Sequence, residues 1–266
     1  MSGDALTTQP DLECNSAAVV FEEIREELRD DIVNAPRSLQ KRIGPSGIGD
    51  PCPRGLIGTM FNLHIPPEPP NLRAWVGTSM HAQMERIIGA SPCQAAAGGP
   101  RYLLEHKVSV GTIGGVEITG SVDCFDVLSG TVIDYKSKSH TRLQEHRRHG
   151  PGQVYRVQGQ LYGLGMRNAG YHVNQVLFMY LPRDGLFADI TYQAETFDPQ
   201  IGLDALARAN QLHSLATLLG PQVAMDQYPR CDGEFCRHCR RSNRGAADLA
   251  GLMSTPVTTG STQEKS

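Results

Sequence analysis

Long apolar runs are missing from this 266-residue sequence. No run approaches the roughly 20 residues that a membrane-spanning helix needs, so we expect no transmembrane segment. The opening residues, MSGDALTTQPDLECNS, have neither the basic start nor the apolar stretch of a signal peptide, and we expect a cytoplasmic protein with no membrane partner. Its seven cysteines are then not expected to form disulfides, because the cytosol keeps thiols reduced.

Lysine is also scarce. Only five of the 25 basic residues are lysines, so the closely spaced Lys136 and Lys138 stand out from the background. A net charge of -3 neither supports nor excludes a nucleic-acid partner, because a binding surface would have to be local. A hydrophobic content of 39% fits a soluble globular protein and excludes a disordered one.

The chain reads as one domain, predicted at residues 19–246, between flexible tails at 1–18 and 247–266. Apolar spacing predicts four helices, and runs of β-branched residues predict five strands. The helices are predicted near 21–33, 72–89, 152–168 and 202–220. The strands are predicted at 102–110, 116–128, 131–137, 175–183 and 186–195. The Gly/Pro-rich segment GPSGIGDPCPRG is predicted as loop or turn. This order predicts an α/β fold, a mixed central sheet flanked by helices.

The segment TVIDYKSKS, residues 131–139, carries the first functional signal. Side chains alternate along a strand, so Asp134 and Lys136 share one face and Tyr135 points away from them. The pair has two interpretations. It is either a solvated ion pair at the end of a strand or part of a metal-dependent active site, and the second interpretation needs partners elsewhere in the chain.

Such partners are present, and they are of the residue types that phosphodiester cleavage needs together. Asp123 lies on the preceding predicted strand, where it could face Asp134 across a hairpin. His81 and Glu85 are four residues apart on one predicted helix, and two further residues with this spacing, Gln158 and Tyr162, lie on another. Carboxylates and an imidazole can hold Mg²⁺ or Mn²⁺, which lowers the pKa of bound water and neutralises charge on a phosphate. An ammonium nearby can orient that water and stabilise the transition state.

This ordered set resembles the PD-(D/E)xK nuclease superfamily in its RecB-like branch. The resemblance implies a restriction-endonuclease-like core. It also implies that the metal ligands are His81, Asp123, Asp134 and the backbone carbonyl of Tyr135. Lys136 would be the catalytic lysine, with Gln158 and Tyr162 supporting the site and the DNA end, and Glu85 acting further from the metal. Many relatives have Glu where this chain has Asp134.

Three cysteines cluster near the end of the chain, in YPRCDGEFCRHC. Cys231, Cys236 and Cys239 are one short of the four thiolates that usually bind a soft metal, and we expect Cys52 in DPCPRG as the fourth. His238 and His64 could each replace a ligand. Cys14, Cys93 and Cys124 are interpreted as incidental, with Cys124 facing away from Asp123.

A cysteine set split in this way resembles the iron–sulfur nucleases of the RecB-like branch, among them the CRISPR-associated exonucleases of the Cas-four family. The chain looks like a phage-type member. The resemblance implies a [4Fe–4S] cluster that joins residues 45–60 to residues 228–244. In that family the close cysteine pair usually comes first, whereas here it comes last, so zinc remains the alternative metal.

Two groups of basic residues could contact DNA phosphates, although the alternative, which is favoured for any single arginine, is a solvated, variable loop. The candidates are Arg142, Arg147 and Arg148 after the lysine-bearing strand, and Arg237 and Arg240 around the cysteines. Together with the resemblance, these features predict a metal-dependent exonuclease acting on single-stranded DNA or DNA ends. A helicase, recombinase or CRISPR adaptation protein could be its partner. The alternatives are a DNA-binding protein that keeps the scaffold without catalysis, and a zinc-stapled interaction protein.

Overall fold

The computed structural model describes residues 17–35, 43–64, 69–96, 99–233 and 236–239. Eight α-helices lie within these ranges. They are α1 (Ala17–Asn34), α2 (Pro45–Ile48), α3 (Pro53–Met60), α4 (Leu72–Gly89), α5 (His140–His149), α6 (Gly152–Asn168), α7 (Pro199–Leu219) and α8 (Pro221–Asp226). No helix in this described part of the chain is long and apolar enough to cross a membrane.

The same ranges contain seven strands in two sheets. They are β1 (Ala95–Ala96), β2 (Gly99–Pro100), β3 (Tyr102–Ile113), β4 (Val116–Asp126), β5 (Thr131–Lys138), β6 (Gln175–Pro182) and β7 (Thr191–Thr196). The main sheet has the order β3-β4-β5-β6-β7, and only the β5–β6 pair is parallel. A crossover through α5 and α6 joins this parallel pair, as parallel pairing requires. The predicted mixed central sheet is therefore confirmed.

Helix α6 packs against the sheet and is buried along one continuous stretch, Val157 to Met166. Glycine allows this close approach: a Cβ on Gly159 would lie only 2.6 Å from Cγ1 of Val176 on β6. Helix α7 packs in turn on α6. The main core thus lies between these two helices and the sheet.

Helix α4 packs on the sheet through a second, smaller apolar cluster. This cluster joins α4 side chains to strand side chains, namely Met80, Met84 and Ile88 to Cys124, Tyr135 and Leu181. No residue of α4 is fully buried. The sheet is consequently flanked by helices, and α4 is the more exposed of its covering elements.

The structure corrects the predictions in three segments. The predicted loop GPSGIGDPCPRG contains α2 and the start of α3, because proline at the first helical position suits both starts. The predicted strand at 186–195 begins instead with a 3₁₀ turn, Phe187–Asp189, before β7. The basic segment after β5 is the helix α5.

Parts of the predicted tails lie outside the described residues. These are residues 1–16, which include Cys14, and all of 247–266. Helix α1 begins at Ala17, so the last two residues of the predicted first tail are helical.

Candidate active site and cysteine site

Strand β5 places a carboxylate and an ammonium in contact inside the protein. Nζ of Lys136 lies 2.5 Å from Oδ2 of Asp134, and their side chains are 11% and 1% exposed. Burial raises the pKa of Asp134 to about 6; the charge of Lys136 opposes this shift and that of Asp123 adds to it. The pair is therefore not the solvated surface ion pair that was one interpretation of the sequence.

Helix α6 holds the lysine from the other side. Lys136 Nζ donates to Oε1 of Gln158 at 3.1 Å, and Nε2 of Gln158 donates to the hydroxyl of Tyr162 at 3.3 Å. The ammonium also lies 4.6 Å from the ring centroid of Tyr155, a cation–π contact. Gln158 thus contacts the lysine, and Tyr162 contacts Gln158 from the same face of α6, the face that their spacing predicted they share.

Asp123 lies on the neighbouring strand β4. The last recorded β4–β5 pair, Cys124 with Ile133, puts Asp123 opposite Asp134 at the next position. Asp123 Oδ2 accepts a 2.7 Å hydrogen bond from the backbone N–H of Tyr135, and Oδ1 lies 3.3 Å from Nδ1 of His81. Asp123 therefore joins the lysine-bearing strand to helix α4.

His81 reaches both predicted ligands next to it. Its Nε2 lies 3.0 Å from the carbonyl oxygen of Tyr135, while its Nδ1 faces Asp123. Burial lowers the pKa of His81, but the hydrogen bond and charge of Asp123 outweigh burial, and the pKa is raised. Glu85, one turn further along α4, is exposed and lies outside the group of potential metal ligands described next.

Glu105 is the site residue that sequence reasoning missed. Ligand atoms of His81, Glu105 and Asp123 lie within 4.8 Å of one another. Glu105 has a φ of 44°, an unfavourable backbone angle for a residue with a side chain, and its carboxylate accepts a 2.8 Å hydrogen bond from Ser121. Burial raises the pKa of Glu105. A strained, half-buried acid beside two candidate ligands is typical of a functional site.

A β-bulge explains why Glu105 was missed. Near the β3–β4 turn, Ile113 pairs with Val116, and counting from there would place His106 opposite Asp123. The register shifts by one residue between Ser109 and Gly111, so His106 pairs with Val122 instead. Glu105 therefore comes opposite Asp123. The glycine in this segment was the one available signal, because bulges often contain glycine.

The donor set fits a hard divalent cation. Carboxylate oxygens, an imidazole and a backbone carbonyl are ligands that Mg²⁺ or Mn²⁺ can use. Asp134 supplies a direct observation, because its buried Oδ1 has no hydrogen-bond partner among the described residues, and Oδ2 faces the Lys136 ammonium without a well-aligned hydrogen bond. A buried carboxylate left in this state is a group that a metal ion would satisfy.

The second site joins distant parts of the chain. Ligand atoms of the four predicted cysteines, Cys52, Cys231, Cys236 and Cys239, lie within 4.8 Å of one another. Cys52 also caps the start of α3, where its sulfur accepts a 3.4 Å hydrogen bond from the backbone of Gly55. The two histidines considered as replacement ligands are not in this group: His64 is exposed, and the ring of His238 lies over Gly58.

The four thiols suit a thiolate-bound metal, and their spacing favours a single ion. Tetrahedral zinc with Zn–S bonds of about 2.3 Å holds its sulfurs about 3.8 Å apart. The sulfurs of Cys52 and Cys239 are 3.5 Å apart, and all four lie within 4.8 Å. A [4Fe–4S] cluster has an iron behind each thiolate and needs a wider set. The donor type thus fits both candidates, and the distances favour zinc.

Arg54 adds a metal-free connection between the same two regions. Its buried guanidinium donates to the backbone oxygens of Met225 and Tyr228, at 2.7 and 3.2 Å, and pairs with Asp226 at 3.2 Å. The first turn of α3 is thereby attached to α8 beside the cysteines. Cys93 and Cys124 take no part in the cysteine site: Cys93 is exposed, and burial raises the pKa of Cys124 to about 11.

The structure describes four of the five arginines predicted to contact DNA. Arg142 pairs with Glu145, and Arg147 donates to the backbone of Asp189. Arg148 and Arg237 are exposed. Arg240 lies outside the described residues.

The profile of the PD-(D/E)XK nuclease superfamily matches residues 94–244, more than half of the chain. No curated protein gave a significant match. Among solved structures, an alkaline exonuclease from Laribacter hongkongensis is 13% identical, with a TM-score of 0.45, covering 84% of this chain and 99% of its own. A phage-related exonuclease from Haemophilus somnus 129PT is 14% identical, with a TM-score of 0.40 and coverages of 66% and 79%.

Proposed function

We propose that this chain, which belongs to the PD-(D/E)XK nuclease superfamily, is a Mg²⁺- or Mn²⁺-dependent DNA exonuclease. The observation that carries the proposal is the buried contact between Lys136 and Asp134, directly beside the His81–Glu105–Asp123 group. A buried acid with an unpartnered oxygen, three further ligands and one held ammonium are the groups that metal-assisted phosphodiester hydrolysis uses.

The protein's own residues divide the work between them. Asp123, Asp134, Glu105, His81 and the carbonyl of Tyr135 would hold the cation. When bound, that cation supplies an acidified water and neutralises charge on the phosphate. Asp134 would be ionised in the loaded site, because a cation beside a carboxyl favours its charged form.

Lys136 would donate to the attacking water or to the phosphate oxygens. Its position is set by Gln158, which is itself hydrogen-bonded to Tyr162 on the next turn of α6. A lysine held from two sides loses little conformational entropy when the substrate arrives, which favours the transition state. Gln158 and Tyr162 are thus proposed as positioning residues, with Tyr162 also near the DNA end.

DNA would bind beside the carboxyl end of β5, where Arg142, Arg147 and Arg148 lie on α5. The preference for ends rests on the resemblance of the motifs to RecB-like exonucleases. We place the activity in recombination, repair or end-processing, in the host cytoplasm if a phage encodes the protein. A helicase, a recombinase or a CRISPR adaptation protein would be its partner.

The cysteine site is proposed as a metal staple. Cys52 and Cys239 are 187 residues apart in sequence, and a metal joining them would restrict the unfolded chain strongly. Motif resemblance implies [4Fe–4S], whereas the sulfur distances favour zinc. Metal analysis together with absorption spectroscopy decides between them, because an iron–sulfur cluster absorbs broadly near ~400 nm and zinc is silent there.

The direct test is degradation of end-labelled single- and double-stranded DNA with Mn²⁺ or Mg²⁺. We expect the parent protein to release label and Lys136→Ala to lose about 10²–10⁴-fold in rate. Lys107→Ala is the matched control, because Lys107 is exposed on β3. Equal cleavage by Lys136→Ala would refute the assignment. DNA binding without cleavage by the parent would support the non-catalytic scaffold instead.

A further inference from the structure

An exposed apolar tip stands between β6 and β7. We use the name "β6–β7 tip" for residues 183–190. Two of its apolar side chains, Leu186 and Phe187, are 75% and 89% exposed. Phe187 has the highest exposure among the large hydrophobic residues in the described part of the chain. Exposing such side chains to water is unfavourable and adds nothing to the core, and exposed apolar groups often mark binding sites.

The tip is held in place by hydrogen bonds on both sides. Within it, the Asp189 carboxylate accepts from the backbone N–H of Leu186 at 2.8 Å, and the Asp189 N–H donates to the Leu186 carbonyl at 2.9 Å. Helix α5 fixes it from outside. Arg147 donates to the Asp189 carbonyl at 3.1 Å, and Asp184 accepts from the His140 N–H at 2.7 Å. Phe187 is thus presented on a fixed turn.

Sheet topology brings this tip to the proposed active site. Strands β5 and β6 are parallel, so their carboxyl ends meet at one edge of the sheet, and Lys136 pairs with Tyr180. Three residues after Tyr180, the backbone N–H of Arg183 donates to the carbonyl of Lys138 at 2.8 Å. The tip therefore begins where the lysine-bearing strand ends.

The tip and the elements that hold it carry more cations than anions: Lys138, Arg142, Arg147, Arg148 and Arg183 against Glu145, Asp184 and Asp189. Arg183 belongs to the tip, and Lys138 precedes it at the end of β5, where its ammonium is hydrogen-bonded to Tyr155. Arg147 and Arg148 lie on the helix that holds the tip. An exposed aromatic ring within a surface that carries an excess of cations can bind single-stranded nucleic acid, with bases on the ring and phosphates on the cations. An apolar protein partner would not favour this charge.

We propose that Phe187, supported by Leu186, is a base-stacking site for the DNA strand that passes Lys136. The inference rests on the proposed nuclease function. It adds a second contact, in which the protein binds a base of the strand at a distance from the reacting phosphate. Stacking on a ring is tolerant of sequence, so the site would hold any base.

A tryptophan reporter tests this contact directly. The chain has a single tryptophan, Trp75, so Trp75→Phe with Phe187→Trp leaves one indole at the tip. The probe is a fluorescein-labelled single-stranded oligonucleotide in EDTA, which separates binding from cleavage. We expect its binding, followed by anisotropy, to quench the indole emission, because bases stack on the ring.

The matched binding experiment compares two exposed phenylalanines. Phe187→Ala should weaken oligonucleotide binding about 5- to 100-fold, the range for losing one stacked base. Phe21→Ala, which removes a 61% exposed ring on α1, should bind as the parent does. Parental affinity for Phe187→Ala together with unquenched emission would overturn the stacking site while leaving the nuclease intact. A parent that neither binds nor cleaves DNA would instead overturn the proposed function and this inference with it.

Discussion

The two polar sites of this protein are built in opposite ways. In the carboxylate site, buried groups are left incompletely satisfied: Oδ1 of Asp134 has no hydrogen-bond partner among the described residues, and Glu105 has a φ of 44°. In the cysteine site, the four thiols contact one another, and Arg54 ties the adjoining backbone. Backbone strain and an unpartnered buried oxygen are typical of a site that a substrate or metal would complete, whereas a closed donor set is typical of a stabilising site.

Removing a ligand from the carboxylate site should have the largest effect on rate. Asp123→Asn keeps the shape but removes the charge that faces His81 and the proposed cation. We expect cleavage to fall at least about 100-fold, since even groups behind metal ligands are worth 10- to 100-fold. The melting temperature should stay near the parental value. Cleavage near the parental rate would remove Asp123 from the metal site.

Removing a thiol should instead lower the stability of the protein and leave cleavage by the folded molecules intact. Cys231→Ser should release the metal and lower the melting temperature by roughly 10 °C, the scale expected when a cross-link over a long loop is lost. Metal content and thermal unfolding measure this, and cleavage by the fraction that remains folded should persist.

Cys93→Ser is the control for this loss, because Cys93 is exposed and outside both sites. It should keep its metal and its melting temperature. Full metal occupancy in Cys231→Ser would show that the cysteine group is not the staple.

Glu105 gives a narrower test of the carboxylate site, because only the β-bulge in β3 places it opposite Asp123. Glu105→Gln should weaken Mn²⁺ binding about 10-fold or more, measured by calorimetry on the protein without DNA. Glu117→Gln, an exposed acid on β4, should bind Mn²⁺ as the parent does. Identical Mn²⁺ affinities for the two variants would confine Glu105 to a structural role.

The smallest effect concerns pH. The pKa of Asp134 is raised by burial to about 6 in the folded protein, from an ordinary value of 3.8. The metal-free fold should therefore be favoured by protonation of Asp134 below its unfolded pKa and lose that stability as pH rises through about 6. The difference between the melting temperatures of the parent and of Asp134→Asn, both measured in EDTA, should decrease as the pH rises from about 4 to about 7. A flat difference would contradict the raised pKa.

Much of the carboxylate site could be predicted, because the positions of its residues follow from the local geometry of single strands and helices. Alternation along a strand placed Asp134 with Lys136, and helical spacing placed Gln158 with Tyr162. Glu105 could not be found in this way, because a one-residue bulge changes every partner beyond it. The short helices around Cys52 were missed for a related reason, since proline and glycine mark both turns and helix starts.

The closed cysteine site also has a mechanical consequence. With a metal bound, tension applied between Cys52 and Cys239 would pass through the thiolates. The chain between them, 187 residues in sequence separation, would then be shielded from it. The two strands that hold Asp123 and Lys136, β4 and β5, both lie between these cysteines in the sequence. A protein that works on moving DNA, or beside a motor that pulls it, would thus keep its catalytic groups in register under load.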